Sequence, residues 1–394
     1  MLKIVHCADI HAGRPASRMF DKERASLRHR EIETSLSRIV ELTRKEKADL
    51  LLISGDLFEH LYARPSWARE ASAMLGSIPD TRVFIAPGNH DPVVKGSLYR
   101  GIAWPGNVTI FDSSEVREIV VDGIPVAVHG FGWTSFLDRQ QVLKGYAAKR
   151  PDLINILVIH GDVSRKDAAP TSQYLPILQA DLENSGMDYV ALGHVHAPGE
   201  FKAGKTTAVY AGCPEPLDFG DEGERGVFLV SIAEATGGSV RPEVNTQFVP
   251  LATRQMRSAE VDVSGLDNPE RVRNAVLSCG DEGTRGRDMW AVTLTGMADP
   301  ELALDVPVLE REAGQGFFFL RLIPQYTPAY DLEALGDSRS QSLEARFVRE
   351  MRILMGQAAA AGDARTASVT EHALYYGLDA LRQGKILLRK GGSD

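Results

Sequence analysis

The feature that most constrains the fold is a series of short apolar runs, each of which leads directly into polar residues. The runs are unbroken rather than alternating, a pattern typical of strands buried on both faces of their sheet. Residues 23–47, between the first two runs, carry apolar side chains at helical spacing. Alternating strands and helices favour a layered α/β core. The strands predicted in this way cover residues 3–8, 50–54, 83–86, 154–159, 189–192, 207–210 and 227–232. Asp122-Gly123, between two further runs, predicts a hairpin turn.

The last third of the chain has a different pattern. From about Met256 a shorter set of strands and helices predicts a compact α+β unit, and Asn268-Pro269 marks the start of one of its helices. A helical segment follows it to the end of the sequence. We therefore predict three regions, with boundaries at residues 1–245, 246–330 and 331–394.

Two amphipathic helices are predicted in the third region. The apolar face of the first carries Leu343, Phe347, Met351 and Leu354, and the face of the second carries Leu374, Leu378 and Leu381. A capping box from Ser368 to Glu371 marks the predicted start of the second helix. A basic end follows, formed by Lys385, Arg389 and Lys390. Two interpretations stay open, because these faces could bind a partner or pack on the region's own domain.

Composition excludes several classes of protein. No apolar run reaches eighteen residues and no secretory signal begins the sequence, so we expect no membrane span. Three widely spaced cysteines, Cys7, Cys213 and Cys279, favour a reduced, cytoplasmic setting. The net charge of −9 argues against a protein that coats nucleic acid by bulk electrostatics, although a local basic groove is compatible with it.

The polar residues that follow the strands are of the kinds that bind metal ions. The carboxyl ends of parallel strands meet at one edge of a sheet, so we expect these side chains to converge there. Oxygen and imidazole donors without thiolates suit manganese, iron or zinc. Seven candidate ligands are too many for one ion, whereas two ions about 3.5–4 Å apart that share a carboxylate would use them all. The candidates are Asp9, His11, Asp56, Asn89, His160, His194 and His196.

The order of these residues resembles the motifs of calcineurin-like metallophosphoesterases. The matching stretches are Asp9-Ile10-His11, Gly55-Asp56, Gly88-Asn89-His90-Asp91, His160-Gly161 and Gly193-His194-Val195-His196. The resemblance implies a core of two packed sheets flanked by helices. It implies one ion held by Asp9, His11, Asp56 and His196, and a second held by Asp56, Asn89, His160 and His194, with Asp56 as the bridge. His90 would act on the phosphate and the leaving oxygen, and Asp91 would orient the ring of His90.

A narrower resemblance is to double-strand-break-repair exonucleases of the SbcD type and their YhaO-like relatives. It rests on residues 55–58, 188–196, 212–216 and 226–230, and covers roughly residues 1–235. It implies a manganese-dependent DNA exonuclease with some endonuclease activity. Residues 246–330 would form a small cap domain that helps to shape a DNA groove, and residues 331–394 would bind a coiled-coil, SMC-like ATPase. The sequence departs from the family at Glu59, where Asp or His is usual, so His60 is kept as a catalytic candidate.

Other interpretations remain open at this point. The chain could be a cyclic-nucleotide phosphodiesterase or a phosphoprotein phosphatase of the same superfamily, or a scaffold that binds DNA ends. Pairing of two copies into a homodimer is an alternative use of the helical region. Among the remaining side chains, we interpret His6, His29, His129 and His372 as structural or solvated, and Trp104, Trp133 and Tyr146 as packing residues.

Overall fold

A computed structural model of the chain describes residues 1–15, 20–164, 172–233, 242–302, 304–337 and 339–384. It divides the chain into two compact units, Met1–Gln255 and Met256–Asp394. The finer division at residues 245 and 330 stays a prediction, and the basic end at Lys385, Arg389 and Lys390 lies outside the described residues. Within the described part of the chain, no helix is both long and apolar enough to cross a membrane.

The first unit contains two six-stranded sheets. The first sheet is built from β1 (Leu2–Cys7), β2 (Leu50–Ile53), β3 (Arg82–Ile85), β4 (Val108–Ile110), β13 (Gly226–Ala233) and β14 (Glu243–Pro250). In this sheet, β1 to β4 run parallel, β13 lies antiparallel beside β1, and β14 lies antiparallel beside β13. The second sheet is built from β5 (Arg117–Val120), β6 (Val126–Gly130), β7 (Ile154–His160), β10 (Tyr189–Gly193), β11 (Gly199–Ala203) and β12 (Thr206–Tyr210). Here β6, β7, β10 and β12 are parallel, and β5 and β11 are antiparallel edge strands. A separate short pair consists of β8 (Asp162–Ser164) and β9 (Pro176–Leu178).

Layers of apolar side chains hold this unit together. One buried cluster lies between the two sheets and includes Phe84 of the first and Val128 of the second. A second cluster joins the first sheet to the helices α1 (Lys22–Glu46) and α2 (Pro65–Gly76). A third covers the far face of the second sheet, where the short helix α4 (Gln179–Asn184) contributes Leu182. The predicted architecture of two packed sheets flanked by helices is confirmed. A further short helix, α3 (Leu98–Gly101), follows β3.

Local sequence explains the long helix α1. The side chain of Asp21 accepts hydrogen bonds from the backbone N–H groups of Glu23 and Arg24, and so caps the first turn. Apolar residues at helical spacing then face the first sheet, among them Leu36, which is fully buried. The predicted helix over 23–47 therefore matches the structure to within one residue at each end.

The second unit begins with a small α+β core. The elements of this core are β15 (Met256–Asp262), α5 (Pro269–Leu277), α6 (Glu282–Arg287), β16 (Met289–Thr295), β17 (Met297–Ala298), α7 (Val306–Ala313), β18 (Phe319–Pro324), β19 (Thr327–Pro328) and α8 (Leu332–Leu335). The parallel sheet has the order β15-β16-β18 and packs on the helices α5 and α7 through a buried cluster that includes Val272, Trp290 and Leu309. Asn268 caps α5, as its sequence signal predicts.

Two helices, α9 (Leu343–Ala360) and α10 (Ala364–Gln383), complete the second unit as a packed pair. Buried Val348, Leu374 and Leu378 form their shared core with Tyr330. The predicted faces are thus partly internal: Phe347 and Met351 pack against this core, whereas Leu343 and Leu354 are exposed. The predicted start of the second helix at Ser368 is wrong. The carboxylate of Asp363 caps it five residues earlier by accepting from the N–H of Thr366, and Ser368 lies inside the helix.

Candidate metal centre and active site

The predicted ligands all follow strands that end at the same edge of the two sheets. Asp9 and His11 come after β1, Asp56 after β2 and Asn89 after β3. In the second sheet, His160 is the last residue of β7, and His194 and His196 follow β10. Because these strands are parallel to their neighbours, their carboxyl ends deliver the side chains to one place.

Backbone conformation at this edge is unusual. Six non-glycine residues in the described part of the chain have a positive φ, and four of them are predicted ligands: Asp9, His11, Asp56 and His194. Such left-handed residues persist only where the surrounding structure enforces them, and they concentrate at functional sites. Close packing adds a second constraint, since a Cβ on Gly193 would lie 1.8 Å from the carbonyl oxygen of Ser54. The glycine of this motif is therefore required by the approach of the two sheets.

One group of ligand atoms is formed by Asp9, His11 and His196. A carboxylate oxygen and two ring nitrogens, one from each residue, lie within 4.8 Å of one another. The Nε2 atom of His11 is also 3.5 Å from Oδ2 of Asp56. These are the four residues that the family resemblance assigns to the first ion.

A second group surrounds His160. Its Nδ1–H donates to the carbonyl oxygen of Ser54 at 2.9 Å, which leaves Nε2 facing Oδ1 of Asn89 at 2.9 Å and Oδ2 of Asp56 at 3.3 Å. The ring of His194 lies 5.3 Å from that of His160, centroid to centroid. The structure therefore brings together the four residues assigned to the second ion, with Asp56 between the two groups.

The donor set fits divalent cations. Nε2 of His11 is buried and has no hydrogen-bond partner among the described residues, although two carboxylates lie within 4.0 Å of it. Asp9 and Asp56 are themselves almost completely buried. Buried carboxylates are costly unless a positive charge compensates them, and a cation at this position would do so while also accepting the free lone pair of His11.

The pKa values of the site also reflect its buried carboxylates. Burial raises the pKa of Asp9. Burial also opposes ionisation of Asp56, but the neighbouring imidazole of His160 outweighs this effect and lowers the pKa of Asp56. His160 responds in the opposite direction: burial disfavours its charged form, but Asp56 and Asp9 raise its pKa to about 9. Burial lowers the pKa of His194 to about 4, which keeps that ring neutral and able to bind a metal ion.

His90 lies beside the candidate ligands and is oriented by Glu59. Its ring centroid is 4.8 Å from that of His11, its backbone N–H donates to Oδ1 of Asp56 at 2.9 Å, and its side chain is 41% exposed. The Nδ1 atom of His90 is 2.8 Å from one oxygen of Glu59, and the other oxygen of Glu59 is 3.2 Å from Nδ1 of His11. The hydrogen bond to Glu59 raises the pKa of His90.

The predicted orienting role of Asp91 is wrong. Its two buried oxygens accept hydrogen bonds from the backbone N–H groups of residues 56, 57, 58 and 88 and from the hydroxyl of Tyr99. Asp91 therefore stabilises the loops that carry Asp56 and Asn89, and Glu59 takes the contact with His90. Sequence reasoning noted Glu59 only as a departure from the family pattern, although its position three residues after Asp56 was a usable signal.

His60 lies at the margin of the site. Its backbone N–H donates to the carbonyl oxygen of His90 at 2.9 Å, and its ring packs against that of Phe136 at 5.3 Å between centroids. The structure thus places the backbone of His60 against His90, while the side chain contacts an exposed aromatic residue.

Comparison with known proteins agrees with this geometry. The sequence model of the calcineurin-like phosphoesterases matches residues 2–198. The chain belongs to this family. The match begins at β1 and ends just beyond His196, so it spans all seven candidate ligands of this phosphoesterase.

Three relatives are similar in sequence to this phosphoesterase. Metallophosphoesterase YhaO of Bacillus subtilis, described as uncharacterized, is 26% identical over 289 residues, which cover 68% of this chain and 64% of YhaO. The DNA double-strand break repair protein Mre11 of Methanopyrus kandleri is 29% identical over 342 residues, 79% of this chain and 68% of that protein. Mre11 of Aeropyrum pernix is 27% identical over 247 residues, 55% of this chain and 54% of that protein.

Several residues outside the metal centre behave as the sequence predicts. His129 is buried, with Nδ1 2.8 Å from the hydroxyl of Tyr146 and Nε2 3.0 Å from Oδ1 of Asn155. His6 is likewise buried, between the hydroxyls of Tyr189 and Ser54. Trp133 is fully buried and donates from Nε1 to the carbonyl oxygen of His160. It therefore packs beneath the phosphoesterase site.

Proposed function

We propose that this chain is a two-metal phosphodiesterase that cleaves the DNA backbone, chiefly as an exonuclease and with endonuclease activity besides. The observation that carries the proposal is the convergence of seven oxygen and imidazole donors beside a half-buried histidine, His90. Two relatives named as DNA double-strand break repair proteins support DNA as the substrate. We propose the cytoplasm as the place of action.

The proposed ligands divide into two sets that share Asp56. Asp9, His11 and His196 would complete the first set, and Asn89, His160 and His194 the second. Two divalent ions bound there would lower the pKa of water and neutralise the charge that develops on a phosphodiester. Manganese is the metal that we propose, with iron and zinc as alternatives, because the donors are carboxylate, amide and imidazole groups without thiolates.

The protein's own contribution to the proposed reaction centres on His90. Glu59 holds Nδ1 of His90 and favours the protonated ring, so that Nε2–H is available to an oxygen in the site. A proton delivered from Nε2 would stabilise the leaving alcohol of the cleaved ester. The hydrogen bond from the backbone N–H of His90 to Asp56 holds the backbone of His90 beside the proposed bridging carboxylate. His60 is retained in the proposal as a second candidate on the same side of the site.

Substrate preference is the direct test. The purified chain is incubated with manganese and linear duplex DNA labelled at either end, and in parallel with bis-p-nitrophenyl phosphate and p-nitrophenyl phosphate. We expect a ladder of short DNA products and hydrolysis of the diester, both reduced about 100-fold or more in His90→Ala. His29→Ala is the matched control, because this histidine pairs with Glu33 on α1 and is not part of the cluster. Cleavage of the monoester alone would favour a phosphatase, and DNA binding without cleavage would favour the scaffold.

We also propose an SMC-like ATPase with coiled coils as partner of the helical region. Support comes from exposed apolar side chains on α9, where Leu343, Ile353 and Leu354 are each about half or more exposed, as an apolar docking face would be. The test is stimulation of DNA cleavage by such an ATPase, with Leu354→Asp as the variant. We expect loss of stimulation with diester hydrolysis unchanged. A variant that is still stimulated would contradict the partner proposal, and a concentration-dependent doubling of mass without ATPase would favour a homodimer.

A further inference from the structure

The candidate ligand His196 is held by a second group of buried residues that no motif predicts. Asp221, which is 4% exposed, lies in the loop between β12 and β13. Its Oδ1 is 3.2 Å from Nδ1 of His196. Its Oδ2 accepts from the backbone N–H groups of Leu217 at 2.8 Å and Asp218 at 3.3 Å. The carboxylate is therefore fixed by its own loop and points one oxygen at the imidazole.

The backbone of His196 is held as firmly as its ring. The guanidinium of Arg225, itself 2% exposed, donates to the carbonyl oxygens of His196 at 2.6 Å, Asp221 at 3.1 Å and Glu222 at 2.7 Å. The N–H of Cys213 donates to the same carbonyl of His196 at 3.1 Å. The ring and the backbone of His196 are thus anchored to buried side chains of one loop, which is the arrangement expected of a preorganised donor.

The Nδ1 atoms of three candidate ligands, His11, His196 and His160, have different kinds of hydrogen-bond partner. In the proposed first set, Nδ1 of His11 contacts Glu59 and Nδ1 of His196 contacts Asp221, so both imidazoles have a carboxylate behind them. In the second set, Nδ1 of His160 donates to the neutral carbonyl of Ser54 at 2.9 Å, and Oδ1 of Asp9 lies farther from it, at 4.0 Å. A carboxylate fixes the tautomer of a ligating histidine and raises its basicity, and such partners change metal affinity about 10- to 100-fold.

We propose that Asp221 is a positioning residue for His196, and that the carboxylates behind His11 and His196 make the site of Asp9, His11 and His196 the tighter of two metal sites. This inference rests on the proposed metal centre described above. Asp221 is the residue through which it is tested, because Glu59 also contacts His90 and its removal would disturb two functions at once.

Asp221→Asn is the decisive variant. An asparagine has the same shape and can still accept from the N–H of Leu217 through its amide oxygen. Its amide nitrogen would then face Nδ1 of His196 and donate to it, which moves the ring proton to Nε2. In wild type, Nδ1–H donates to Asp221 and Nε2 is left free to bind the ion, so a proton moved to Nε2 would block the ligating nitrogen. Manganese binding to the intact chain is followed by calorimetry and by the electron paramagnetic resonance of free manganese.

Wild type is expected to bind manganese in two steps, and Asp221→Asn to weaken the tighter step about 10- to 100-fold while the weaker step changes less than about twofold. The matched control is Asp218→Asn, three residues away, whose side chain is half exposed and pairs with Arg14. Asp221→Ser is a second variant that removes the carboxylate without offering an amide. The melting temperatures of wild type and of both Asp221 variants are also measured without metal.

Each outcome bears on one of the two proposals. Unchanged tight binding in Asp221→Asn and Asp221→Ser, or equal loss at both steps, would overturn the role of Asp221 while leaving the metal centre intact. A lower metal-free melting temperature in both variants would assign Asp221 a structural role and overturn the proposal as well. If wild type binds no manganese at all, the proposed function fails instead.

Discussion

Single side chains at the strand ends serve more than one neighbour, and this sharing limits what sequence can reveal. The residue types and order of the seven candidate ligands were predictable because each follows a recognisable apolar strand. The partner of His90 was not predictable, because Asp91 is next to it in sequence whereas Glu59 lies 31 residues away and reaches it only through the fold. Asp91 accepts backbone N–H groups from two loops, while Glu59 reaches two imidazoles.

The proposed ligands and His90 should respond differently to mutation. Asp56→Ala removes the carboxylate that lies between the two ligand groups, so we expect loss of bound manganese together with loss of phosphodiester hydrolysis. His90→Ala should retain both ions, because its ring is held by Glu59 rather than by the ligand oxygens, and should lower turnover about 100-fold or more. Elemental analysis after desalting measures the difference. Equal metal loss in both variants would contradict this division of roles.

His6 should make the stability of the first unit depend on pH. Burial lowers the pKa of His6 to about 3, whereas an unfolded chain titrates near 6.5. Below about pH 6.5 the unfolded state therefore binds a proton that the folded state does not, and stability falls as pH falls. Between pH 7 and 5.5 this residue accounts for a loss of about 1.3 kcal/mol.

Urea unfolding of metal-free wild type and His6→Gln at these two pH values measures the effect. Glutamine can still hydrogen-bond to the hydroxyls of Tyr189 and Ser54 but does not titrate. The variant should lose about 1.3 kcal/mol less than wild type on acidification. An identical loss in both proteins would show that His6 is not the titrating group.

At the scale of elements, unbroken apolar runs located the central strands to within two residues, because a strand buried on both faces leaves no other pattern. Strands with alternating polar residues were missed. β11 and β14 lie at sheet edges, where one face is exposed and the apolar signal is halved. The start of α10 was misplaced because two possible capping residues, Asp363 and Ser368, lie close together in the sequence. Asp363 is the one that caps the helix, so Ser368 falls inside it.

The pairing of α9 and α10 can be tested at two glycines. A Cβ on Gly377 would lie 2.2 Å from the ring of Phe347, whereas a Cβ on Gly356 meets nothing within 4 Å. Gly377→Ala should therefore lower the stability of the second unit by about 1–3 kcal/mol. Gly356→Ala should raise it by about 0.5–1 kcal/mol, because alanine is the better helix former. Thermal unfolding of the two variants is the measurement, and a shift of the same sign in both would contradict the observed packing of the pair.

At the scale of the whole molecule, a layered core supplies a rigid edge on which loops from both sheets meet. The fold and the family could be read from the sequence because motif order and strand order coincide. The contacts that hold His196 could not be predicted from the sequence. Asp221 and Arg225 belong to a loop without a periodic pattern, and His196 is 25 or more residues away from them in sequence.

The central claim, two ions acting together on a phosphodiester, is tested most directly by counting ions and turnover in one sample. Metal-free chain is titrated with manganese while bound metal and hydrolysis of bis-p-nitrophenyl phosphate are followed together. The account predicts two ions per chain, with hydrolysis that rises only as the second equivalent binds. Full activity with a single ion bound, or two bound ions with no diester hydrolysis, would contradict it.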